Sequence, residues 1–108
     1  MYSKYPKLIQ NFNFCLDAEC YYEAHEALEE IWFPRRDENS SEMNLLKGFI
    51  NAAVSFELSK RGRTEPSKKA WKTYLKYRPL LYKITSPHLN DYHTLARKIE
   101  LLKYYKTT

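Results

Sequence analysis

Glycine is nearly missing from this chain: 108 residues contain only Gly48 and Gly62. Tight hairpins and phosphate-cradling loops draw on glycine wherever φ must turn positive, so the supply argues against both. β-branched residues are few and no stretch alternates with period two, which removes the main signal for strands. Cysteine is equally sparse, with Cys15 and Cys20 alone. A secreted fold of this size held by disulfides carries more. Five apart on one predicted helix, the two side chains should point in different directions, so they read as free thiols in a reducing cytoplasm. No apolar run approaches the roughly 20 residues needed to cross a bilayer. The opening MYSKYPKLIQ has no continuous apolar segment of the kind a signal peptide needs. CxxC pairs and nucleophile elbows are lacking too.

What remains is apolar, aromatic and charged. Hydrophobic residues make up 44% of the chain and aromatics 16%, with ten tyrosines and two tryptophans. That is enough to bury a core, and the length suits one domain, so residues 1–108 read as a single soluble helical unit. The net charge of +5 is unevenly spread: residues 1–54 carry about −4 and residues 55–108 about +9. The plain reading is a solvated surface whose halves attract. The sharper one is a basic face for a polyanion, built from KRGR at 60–63 and Lys68, Lys69, Lys72 and Lys76 with Trp71 and Tyr74 between them. Strips of this kind mostly solubilise, so binding to short DNA or RNA is expected no tighter than about 10⁻⁶ M.

Apolar residues recur with helical spacing in five segments. The first helix is predicted from Pro6 to Ala18, with Leu8, Ile9, Phe12, Cys15 and Leu16 on one face. The second runs from Tyr21 to Trp32 and is ended by Pro34. PRRDENSS reads as a loop, and Asn39 with Glu42 as a capping box for the third helix. The third carries Leu46, Phe49, Ile50, Ala53 and Glu57 on one face and fades near Gly62. Thr64 is the expected N-cap of the fourth, and Pro79 its end. Ser86 and Pro87 announce the fifth, which buries Leu89, Tyr92, Leu95, Ala96, Ile99 and Leu102. Short connections favour antiparallel neighbours in a bundle.

Two helices carry polar residues on their apolar faces. In YYEAHEALEEIW, at residues 21–32, Leu28, Glu29 and Trp32 all fall within about 60° of His25 on a helical projection, while Glu26 sits at the boundary. Glu57 falls within about 20° of Leu46, in the middle of the third helix's stripe. A lone buried carboxylate is costly, so His25, Glu29 and Glu57 are expected to converge where these helices pack. Such a trio could fix helix register, bind a small ligand, hold a divalent metal or do acid–base chemistry. HEALE is not the HExxH pattern of zinc proteases, since Glu29 stands where the second histidine would be. Tyr22, Glu26 and Trp32 complete the candidate pocket, with Trp32 read as a core anchor. His88 and His93 read as surface histidines, and Cys15 as a buried structural thiol.

AECYYEAHEALEEIW, followed after a loop by LLKGFINAAVSFELSKRG, resembles the bacterial and archaeal family called domain of unknown function 309. Glu23, Ala24, His25, Glu26, Leu28, Glu29 and Trp32 match the first part of its pattern. Gly48, Phe49, Ile50 and Gly62 match the second. Glu19 departs from it where the family often has glycine, as do Lys47 and Asn51 in place of glutamines and Arg63 in place of asparagine. The resemblance spans about residues 12–80 and implies a compact all-α bundle. It implies no established activity.

The residues therefore read as a small helical binding or interaction module with a His25/Glu29/Glu57 pocket. The rivals are a metal-dependent hydrolase-like enzyme using the same three residues and a nucleic-acid-associated protein using the basic half. No cofactor beyond that divalent metal is expected. A small molecule, a protein or a second copy of the chain stays open as partner, and no membrane is expected.

Overall fold

The computed structural model of the chain describes residues 4–107, with side chains through residue 105. Residues 1–3 and 108, the ends of the expected single domain, lie outside the described residues. Five α-helices follow one another: α1 Tyr5–Asp17, α2 Tyr21–Arg35, α3 Ser41–Lys60, α4 Thr64–Tyr77 and α5 Leu89–Thr107. Short 3₁₀ turns at Arg36–Glu38 and Arg78–Tyr82 link α2 to α3 and α4 to α5. Among the described residues there is no strand. No helix there is long and apolar enough to cross a membrane.

Sequence neighbours are also neighbours in space. α1 packs on α2, α2 on α3 and α3 on α4, while α5 returns to touch α1 and α3. The buried set contains most of the predicted stripes: Phe12 and Leu16 from α1, Leu28 and Ile31 from α2, Leu46 and Phe49 from α3, Tyr74 from α4, Tyr92 and Ile99 from α5, whereas Cys15, Glu57, Leu89 and Leu102 are only half-buried. α3 lies at the centre and buries more than one face, including Met43, Leu45 and Ala52 off its predicted stripe.

The closest approach is between α3 and α4. A Cβ on Gly48 would stand 3.1 Å from the Cβ of Tyr77, so any larger residue there would push the two helices apart by a few tenths of an ångström. Farther along the same seam Ser55 Oγ donates to the Ser67 carbonyl at 2.8 Å, and Ser67 Oγ returns the bond to the Ser55 carbonyl at 2.7 Å. Both hydroxyls are buried, so each needs such a partner.

Several expected boundaries shift. α2 runs through Pro34 to Arg35. The imide's missing N–H falls in the last turn, where the loss of one helical bond is tolerable. The cap of α3 is Ser40, whose Oγ accepts from the Met43 N–H at 3.2 Å, and not Asn39, which adopts a left-handed φ of +52°. With the cap moved by one residue Glu42 leaves the capping-box position. Its Oε2 instead accepts from Ser86 Oγ at 2.8 Å and Tyr92 Oη at 2.6 Å, pinning the start of α5 to the start of α3. Thr64 is the first residue of α4 rather than its cap.

Candidate functional site

α2 and α3 lie side by side with a pocket of about 230 Å³ between them. Tyr21, Tyr22 and His25 line it from α2, and Val54, Glu57, Leu58 and Arg61 from α3. The i, i+1, i+4 spacing on one side and i, i+3, i+4, i+7 on the other place each set on a single helix face. Tyr21 is buried and stacks on Phe56, so its ring belongs to both core and pocket wall. Tyr22 is exposed and its ring lies 5.0 Å from that of His25.

His25 has a hydrogen-bond partner at one nitrogen and a carboxylate near the other. Nδ1 lies 2.7 Å from the Tyr22 carbonyl, and Nε2 lies 3.3 Å from Glu29 Oε1. A carbonyl can only accept, so Nδ1 carries a proton and the ring orientation is fixed. The His25 side chain is 18% exposed and that of Glu29 is 42% exposed, which places the pair towards the surface rather than in the core.

Glu57 reaches the same pocket from α3. Its side chain is 19% exposed, and its Oε2 accepts from Arg61 Nε at 2.6 Å one turn on. Desolvation of the carboxylate is thus met by a charge-assisted bond within its own helix. The i, i+4 spacing of Glu57 and Arg61 is visible in the sequence, but there Arg61 stands out only as part of a basic run.

The expected convergence of three is therefore divided. His25 and Glu57 face one pocket, while Glu29 pairs with His25 and is not among the pocket-lining residues. Among the described residues no group of three or more His, Cys, Asp and Glu side chains is placed to hold a metal ion. Glu26 is exposed on the outer side of α2, in a shallow acidic groove with Glu29, Glu30, Phe33 and Pro34. Trp32 lies half-buried against the core, edge-on to Phe33, and so is a flank of the core rather than its anchor.

The basic strip also changes in the fold. Lys68, Lys69, Lys72 and Lys76 are exposed along α4, but Tyr74 is fully buried and Trp71 packs inward on Phe56 and Tyr74. The aromatics that separated the lysines in sequence are on the core side of the helix. Nor are His88 and His93 plain surface histidines. Both are half-buried, His88 beside Tyr5 and Tyr92 and His93 edge-on to Tyr82.

Two polar clusters had no clear sequence signal because their members are far apart in the chain. Glu42, Ser86 and Tyr92 form one. Glu100, which accepts from Tyr74 Oη at 2.8 Å and from Arg78, forms the other. Burial and the adjacent carboxylates push the phenols of Tyr74 and Tyr92 well above the ordinary tyrosine range. Both phenols therefore act as hydrogen-bond donors that fasten α5, not as acids.

The fold and this pocket define a small all-α protein with a two-helix recess. The chain belongs to the family described as Domain of unknown function (DUF309), which matches residues 9–70. That span holds α1 from Ile9 onward, all of α2 and α3 and the first half of α4, and with them every residue that lines the pocket. No curated protein and no solved structure matches the chain.

Proposed function

We propose that the chain is a binding module whose α2–α3 pocket receives a small amphipathic group, either a free molecule or one side chain of a partner. The observation that carries this is the meeting of His25 and Glu57, from two helices, on one recess walled by Tyr21, Val54 and Leu58. An apolar wall with a few fixed polar groups is the usual make-up of a ligand site. At about 230 Å³ the recess is smaller than the roughly 300–1,000 Å³ of drug-sized pockets, so it suits a single ring or a short aliphatic chain. The occupant's apolar part lies on the tyrosine and aliphatic wall. Its polar head meets His25 and the Glu57–Arg61 pair.

The test is a fragment screen on ¹⁵N-labelled protein by NMR. Ring-bearing and short aliphatic compounds with one polar group should shift the amides of Tyr21–His25 and Val54–Arg61 together. Val54→Phe, which fills the recess and leaves every polar group in place, should abolish those shifts while the remaining spectrum stays native. Shifts that persist in Val54→Phe, or that map elsewhere, overturn the proposal. The rival readings use the same sample. Zn²⁺ should shift the resonances of His25, Glu29 and Glu57 together if they form a metal-dependent hydrolytic site. A short DNA should shift α4 if its lysines bind a phosphate backbone.

A further inference from the structure

Cys15 and Cys20 stand on either side of the turn from α1 to α2. On an uninterrupted helix five residues would set them about 140° apart. The chain instead ends α1 with two paired bonds: the Glu19 N–H donates to the Leu16 carbonyl at 3.2 Å, and the Cys20 N–H donates to the Cys15 carbonyl at 2.9 Å. Glu19 between them has a left-handed φ of +60°. This is the Schellman arrangement, which folds the second residue past the helix back over the residue three before its cap. Here those two residues are Cys20 and Cys15.

The bond also bounds their separation. With N···O at 2.9 Å, ordinary backbone bond lengths hold the two Cα atoms within about 6.8 Å. Disulfides span Cα separations of roughly 4.4–6.8 Å. Cys20 is exposed and Cys15 half-buried, and both are free thiols. Burial pushes the Cys15 thiol above its ordinary range, and the nearby Cys20 and Glu23 add to that, which places the two cysteines in each other's electrostatic reach. Lys60 Nζ donates to the Glu19 carbonyl at 3.1 Å, tying the turn to the end of α3.

We propose that Cys15 and Cys20 are a redox modification site, a thiol pair that closes to an intramolecular disulfide when the chain meets a small-molecule disulfide such as oxidised glutathione. Cys20, the exposed thiol, loses its proton and attacks the oxidant. A mixed disulfide forms and one glutathione thiolate leaves. Cys15 loses its proton and attacks the Cys20 sulfur, forming the Cys15–Cys20 bond and expelling the second glutathione thiolate. The protein gives up two electrons and two protons, and one oxidised glutathione becomes two reduced ones. The pair does not depend on the pocket reading, and its test does not touch the pocket.

The experiment treats the full chain with oxidised glutathione and follows intact mass and free thiols. The expected product has lost two hydrogen atoms and both free thiols, with no retained glutathione, to an extent independent of protein concentration. Cleavage after Glu19 should leave the Cys15 and Cys20 fragments joined until dithiothreitol is added. Cys15→Ser should stop at a stable glutathione adduct on Cys20. A wild-type chain that stops at that adduct, or that joins to a second chain through Cys20, overturns the proposal. The fragment test on the wild-type chain decides the matter even if Cys15→Ser does not fold.

Discussion

Glu19 occupies a backbone conformation that side chains with a Cβ avoid. Its φ of +60° is what a Schellman helix end demands at the residue after the cap, and glycine ordinarily supplies it. Left-handed backbone costs an L-residue roughly 1–2 kcal/mol, partly offset because glycine loses more freedom on folding. Glu19→Gly should therefore stabilise the chain by about 0.5–1 kcal/mol, seen as a raised midpoint in urea with an unchanged slope. A lowered midpoint would show that the glutamate side chain contributes more than its backbone costs. Gly62, with φ +76° at the other end of the motif-bearing region, already has the residue its turn requires.

At the scale of elements, α5 is fastened by carboxylates. Glu100 on α5 accepts from Tyr74 and Arg78, Lys98 on α5 reaches Asp17 on α1 at 2.6 Å, and Glu42 on α3 accepts from Tyr92 on α5. Burial raises the carboxyl of Glu100, but the bonds from Arg78 and Tyr74 outweigh it and hold it below the usual range. A group lowered in the folded chain adds stability that is complete above its unfolded pKa and is lost as pH falls through the folded value. The Glu100 contribution should thus be intact above about pH 4.3 and fade below it. Amide exchange in α5 should quicken as pH falls below 4, relative to α3 after correction for intrinsic rates. Glu100→Gln should flatten that dependence. Exchange that accelerates equally in α3 and α5 would show that acid opens the whole bundle at once.

The helices themselves were legible because each apolar stripe is long and is punctuated by proline, serine or glycine. The site was legible only in part. Helical projection placed His25 and Glu57 towards a shared interface, and both line one pocket. It could not show that Arg61, one turn from Glu57, would take the carboxylate, or that Glu29 would sit beside His25 outside the pocket. Glu57 looked central on its stripe because a projection describes one helix, whereas burial depends on where its neighbour ends. The backbone proximity of the two cysteines, both free thiols, was not legible for a related reason. Periodicity assumes that the helix continues, and α1 stops between them.

In the whole molecule α3 separates two kinds of charge. Exposed Glu23, Glu26 and Glu30 stand on α2, and exposed Lys68, Lys69, Lys72 and Lys76 on α4, each helix packed on α3. The same arrangement, in which each helix from α1 to α4 packs on its neighbour in sequence, has a consequence for time. Such contacts close short loops, and chains dominated by them fold in microseconds to milliseconds. α5 is the exception, since the Lys98–Asp17 and Tyr92–Glu42 bonds join residues 81 and 50 apart. It should dock last, onto a four-helix intermediate surface already formed. Pulsed amide labelling during refolding would then protect α2 and α3 before α5, and protection of all five together would show a single concerted step. On that order the α2–α3 recess should be in place before the helix that closes the bundle arrives.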